Sequence, residues 1–123
     1  MSNAVAQFQI LSKSQDETAR FYGDLFGWSV NAANPLSYRR IDTGSAEGIQ
    51  GGIWPAPQET VNFVQLVISV DDVKAAVTRA KHLGAKLLIP PVVLPEGDEM
   101  AVLHDPQGMP FAVWRPRTHQ PIG

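Results

Sequence analysis

Three glutamines, Gln7, Gln9 and Gln65, sit in two strand-like segments, and two tryptophans, Trp54 and Trp114, close two further segments of similar character. An amide offers a neutral acceptor and a neutral donor, and an indole offers a flat apolar face with one N–H. Such groups orient an uncharged polar or aromatic molecule rather than attack one. Proton chemistry would fall to the carboxylates Asp98 and Glu99, or to Asp42 with Arg39 and Arg40 beside it in sequence. A carboxylate becomes a useful base only when burial or neighbours tune it, so solvated surface charge is the default for each. Of the three histidines, His82 is expected at a helix end, His104 at a strand end or site rim, and His119 in the tail. The absence of cysteine removes thiolate chemistry, disulfides and cysteine-ligated zinc. No His-Glu helical pair, glycine-rich phosphate loop or serine nucleophile elbow is present.

Periodicity indicates the elements that must carry these residues. Gln7 to Ser12 alternates polar and apolar residues as a strand does. Ser14-Gln15-Asp16-Glu17 has capping-box spacing, and Ala19, Tyr22, Leu25 and Phe26 follow at helical intervals up to a stop at Gly27. Trp28 to Asn31, a turn at Asn34-Pro35, and strands over Tyr38 to Thr43 and Ile49 to Trp54 complete the first half. The second half opens with a strand over Phe63 to Val70. A helix capped by Asp71-Asp72 then buries Val73, Ala76, Val77, Ala80 and Leu83 and closes at Gly84. Lys86 to Ile89 is expected as a short strand, Pro90 to Asp98 as a loop, Met100 to Leu103 as a strand, Asp105-Pro106-Gln107-Gly108 as a type I turn, and Met109 to Arg115 as the last strand.

Strand, helix and three strands thus occur twice. Gln7 to Gln65 spans 58 residues, Gly27 to Gly84 57, and Trp54 to Trp114 60, as a repeat requires. At 123 residues with 44% hydrophobic content, the chain suits one domain, 1–123, with module one at about 6–56, module two at about 61–116 and a tail at 117–123. A net charge of −2 without blocks of one sign argues against nucleic acid as a partner. Without a signal peptide or a run of roughly 20 apolar residues, a soluble cytoplasmic protein away from membranes is expected.

The runs Gln7-Phe8-Gln9-Ile10, Arg20-Phe21-Tyr22-Gly23-Asp24-Leu25-Phe26-Gly27-Trp28, Gly51-Gly52-Ile53, Ser69-Val70-Asp71-Asp72-Val73, Gly84-Ala85-Lys86 and Asp105-Pro106-Gln107-Gly108 together resemble the vicinal oxygen chelate superfamily. That superfamily includes glyoxalase I, extradiol dioxygenases and bleomycin-resistance proteins. The resemblance implies an α+β fold in which two paired βαβββ modules form a curled, half-open mixed-sheet barrel, with a helix on the outside of each module. It also implies a homodimer, to which the region around Trp114 and Ile122 would contribute.

In metal-dependent members, the first and last strands of each module supply His, Glu or Gln ligands. The resemblance places these positions at Gln7, Gly52, Gln65 and Ala112, and two of the four have no side-chain donor. No metal and no cofactor is therefore expected. Alternation groups Gln7 and Gln9 with Leu11, Gln50 and Gly52 with Trp54, Gln65 with Val67 and Ser69, and Ala112 with Trp114. By resemblance those faces line a ligand cavity. The glutamines would then hold a ligand, or else bond one another or water while the tryptophans fill the space.

The expected function is metal-independent binding of a small polar or aromatic molecule, with catalytic residues unassigned. The alternatives are a metal-dependent lyase, isomerase or dioxygenase with displaced ligands such as His104 or Glu99, and a structural or interaction module with a filled cavity.

Overall fold

The computed structural model describes residues 3–31, 38–94 and 97–116. The Asn34-Pro35 turn, the Pro95-Glu96 part of the loop, and the tail with His119 and Ile122 lie outside the described residues. The chain divides into two compact units: one spans residues 6–65, and the other comprises residue 66 onward together with those before residue 6.

The first unit contains β1 (Val5–Ser12), which begins one residue ahead of it, then α1 (Gln15–Phe26), β2 (Ser29–Asn31), β3 (Arg39–Asp42) and β4 (Gly51–Pro55). Its strands lie in the order β2-β3-β4-β1. β1 and β4 are parallel, and the other pairs are antiparallel. The register sets Phe8 against Gly51 and Ile10 against Ile53, so these residues share one face, and Ile41 joins them through its pairing with Gly51. Ile10, Ile41 and Ile53 are buried there among Phe8, Ala19, Tyr22, Trp28 and Val30, which seats α1 on this face.

The capping box does not form at α1. Ser14 has φ −137° and its side chain makes no capping bond. The buried Ser12 hydroxyl takes that place instead, accepting the Ser14 N–H at 3.0 Å and lying 2.7 Å from the Thr18 hydroxyl. A helix start is thus tied to the end of β1 by a residue that local spacing did not single out. The C-terminal stop is as expected: Gly27 adopts φ 75° and its N–H donates to the Gly23 carbonyl at 2.8 Å.

The chain then repeats the order with β5 (Phe63–Ser69), whose first three residues belong to the first unit, and, in the second unit, α2 (Val73–His82), β6 (Lys86–Val93), β7 (Glu99–His104) and β8 (Pro110–Arg115). β5 and β8 are parallel, and β8-β7-β6 continue antiparallel. Asp72 caps α2 by accepting the Ala75 N–H at 3.0 Å. Val70, Val73, Val77, Ala101, Leu103 and Val113 form the core beneath that helix. The 105–108 turn closes with the Gly108 N–H on the Asp105 carbonyl, and the Asp105 carboxylate accepts the N–H groups of Gln107 and Met109.

One element runs longer than expected. β6 continues through Pro90 and Pro91 to Val93, whereas a loop was expected from Pro90. The pairing with β7 shifts register between Leu87 and Ile89 and again between Ile89 and Val92. β6 pairs only with β7 within its module, and irregular pairing at such an edge accommodates residues without an N–H. The α+β class and the two βαβββ modules are as the sequence implied. Among the described residues, no helix is long and apolar enough to cross a membrane.

Candidate functional site

In the first unit, the face of β1 and β4 opposite α1 carries the amides. The register pairs Gln9 with Gly52 and Leu11 with Trp54. β3 adds Arg40, paired with Gly52, and by alternation Tyr38. Gln9 and Gln65 are both 3% exposed, and Gln65 Nε2 donates to Gln9 Oε1 at 2.7 Å. The two glutamines therefore do bond one another. That bond leaves Gln65 Oε1 buried without a partner, and the buried Trp54 Nε1–H also has none. Gln7 lies two residues before Gln9 on the same strand and is half-buried.

Gly52 has a specific consequence on this face. A Cβ added to it would stand 2.9 Å from Cε1 of Tyr38 and 3.1 Å from the Arg39 carbonyl oxygen. The Tyr38 ring thus occupies the space that a side chain at position 52 would need, and it stacks on Trp54 with centroids 4.8 Å apart. Neighbouring Gly51 does the same on the helix side, where the Phe8 ring would lie 2.5 Å from an added Cβ. Each glycine lets an aromatic ring approach β4 closely.

Gln50 lies one residue before β4. Its amide oxygen accepts the Thr43 N–H and its amide nitrogen donates to the Ser45 carbonyl, so it clamps the loop between β3 and β4. Asp42 serves the same loop through the Gly44 N–H. Arg39 lies on the helix side, with Nη1 2.6 Å from Asp16 Oδ1.

In the second unit, the face opposite α2 pairs Val67 with Ala112 and Ser69 with Trp114. β7 adds Met100 opposite Trp114 and Val102 opposite Ala112, both buried. This face is apolar apart from Ser69 and the Trp114 indole, whose Nε1–H donates to Asp98 Oδ2 at 2.7 Å. Glu99 lies 3.7 Å from Arg115. Asp98 therefore holds a tryptophan, and Glu99 faces a cation. His104 ends β7 opposite Lys86 and Pro110, and His82 ends α2 in an exposed position.

The residues at the four family positions do not suit a divalent metal. Gly52 and Ala112 bring no side-chain donor, the space at Gly52 is filled by an aromatic ring, and Gln65 is turned toward Gln9. A metal site needs anionic or imidazole ligands to offset the charge of the ion, and neutral amides supply little of that. Among the described residues, no three His, Asp or Glu side chains come together.

Sequence reasoning missed Tyr38, Arg40, Met100 and Val102 on these faces. The signal available was the inward Ile41, which implies that Tyr38 and Arg40 point the other way. The pairing of Tyr38 with the gap at Gly52 needs the β3–β4 register, which the sequence does not carry.

A profile described as glyoxalase-like domain matches residues 8–114. The chain belongs to that family, within the vicinal oxygen chelate superfamily. It is 31% identical over 116 residues to the proteins named "Putative glyoxylase CFP32" of Mycobacterium bovis and Mycobacterium tuberculosis. The match covers 91% of this chain but 44% of each relative, so the chain spans less than half the length of these curated proteins.

Among solved structures, a hypothetical protein, BH1468, from Bacillus halodurans superposes with a TM-score of 0.69 at 16% identity, covering 98% of this chain and 99% of its own. A methylmalonyl-CoA epimerase from Mycobacterium tuberculosis superposes with a TM-score of 0.56 at 19% identity, covering 90% of this chain and 86% of its own. At these identities the likeness is one of fold.

Proposed function

We propose that this chain binds a small polar or aromatic molecule without a metal ion, as a glyoxalase-like or bleomycin-resistance-like binding protein. The observation that carries the proposal is the Tyr38 ring in the space beside Gly52, with the Gln9–Gln65 pair on the same face. Where the family resemblance calls for metal ligands, this unit offers an aromatic surface and neutral amides. Those are groups that orient a ligand by stacking and hydrogen bonding.

The names of the curated relatives and of the epimerase favour a second reading, an enzyme of lyase or isomerase type. Catalysis would then depend on carboxylates such as Glu99, or on the remaining length of a longer protein. Pairing of two chains and a cytoplasmic location complete the proposal. The exposed Phe21, Leu25 and Phe26 along α1 support pairing.

Ligand-observed NMR on a library of small aromatic and polar molecules, run with and without EDTA, tests the leading reading. A set of binders unchanged by EDTA is expected. Binders that vanish with chelator and return with added divalent metal would overturn it.

A further inference from the structure

We infer that the amide face of the first unit takes an uncharged, planar ligand carrying an N–H donor of carboxamide type, an inference that rests on the ligand-binding reading above. Gln65 is 3% exposed, and its Oε1 is a buried acceptor with no donor. A carbonyl oxygen left in that state is unfavourable, and a ligand N–H would relieve it. The bond to Gln9 uses Gln65 Nε2 and fixes which end of the amide is left over.

A charged ligand is disfavoured at the buried part of this face. Gln9, Gln65, Gly52, Tyr38 and Trp54 are all neutral, and a buried ion without a counter-charge is strongly disfavoured. An anion would in addition set its own oxygens against Gln65 Oε1. Arg40 shares the face but is exposed at its β3 position. Planarity follows from the Tyr38–Trp54 stack, a flat apolar surface on the same face. The unpartnered Trp54 Nε1–H is a separate donor, suited to a carbonyl or ring acceptor on the same ligand.

Three probes of one shape separate these requirements: benzamide, which has the N–H donor; methyl benzoate, which lacks it; and benzoate, which is charged. All titrations are run in EDTA and followed on the Trp54 indole N–H resonance in proton–nitrogen correlation spectra, with Trp54→Phe identifying that resonance. Benzamide is expected to shift it saturably, with a dissociation constant on the order of 1 mM, as suits so small a molecule. Methyl benzoate and benzoate are expected to bind at least about tenfold more weakly. Gln65→Met should remove the preference for benzamide over the ester. The wild-type ratio of amide to ester carries the test even where Gln65→Met unfolds.

Equal affinity for the ester, tighter binding of benzoate, or no response to benzamide would each overturn the inference. EDTA-resistant library binders alongside unresponsive probes would overturn this ligand class alone. Binders that depend on metal would overturn the reading beneath it.

Discussion

Gln65 Nε2 donates to Gln9 Oε1 at 2.7 Å, joining two side chains that are both almost fully buried. A neutral pair of this kind stabilises only modestly while intact, but either amide alone is a buried polar group without its partner. Gln9→Leu and Gln65→Leu are each expected to cost about 1–3 kcal/mol, and the double variant less than the sum of the two. Urea denaturation of the four proteins measures the coupling. Strict additivity would show that the bond contributes nothing.

Gly52→Ala should destabilise by about 1–3 kcal/mol, because its methyl group would meet the Tyr38 ring and the Arg39 carbonyl. Tyr38→Ala in the same chain should recover part of that loss, since the ring is the nearer obstacle. Denaturation midpoints report both effects. An alanine tolerated at no cost would mean that Tyr38 does not fill this space.

At α1, the buried Ser12 hydroxyl replaces the expected cap. Ser12→Ala is expected to cost about 1–2 kcal/mol and Ser14→Ala less than about 0.5 kcal/mol. Thermal unfolding of the two variants separates them. The opposite ranking would restore the capping box that the spacing suggested.

Asp98 accepts the Trp114 indole N–H in a charge-assisted bond. Asp98→Ala should cost about 1–2 kcal/mol and change the Trp114 fluorescence, while Asp98→Asn keeps an acceptor and most of the stability. Equal loss in both variants would assign the effect to the backbone of this loop rather than to the bond.

The repeat was legible in the sequence because it depends on local patterns. Gly27 and Asp72 cap their helices as their positions indicate, but the apolar spacing holds only in part. Ala19 and Tyr22 of α1 and Val73, Ala76, Val77 and Ala80 of α2 pack on their cores, whereas Leu25, Phe26 and Leu83, in the last turn or just past the end of each helix, are exposed. β6 was cut short because Pro90-Pro91 resembles a break, and only the edge position within its module explains its continuation. The candidate site was legible by face and not by partner. Gln9, Gly52 and Gln65 were placed by alternation, but the bond between two glutamines 56 residues apart in sequence depends on strand pairing. Gln50 alternates correctly with Gly52 and Trp54, yet its amide bonds to its own loop, which no periodicity could reveal.

Metal content per chain tests the central claim most directly, measured by elemental analysis of protein purified without chelator and of the variants Gln7→Leu and Gln65→Leu. Wild type is expected to carry divalent metal far below one equivalent, unchanged in either variant. One equivalent in the wild type, lost in both variants, would contradict the account.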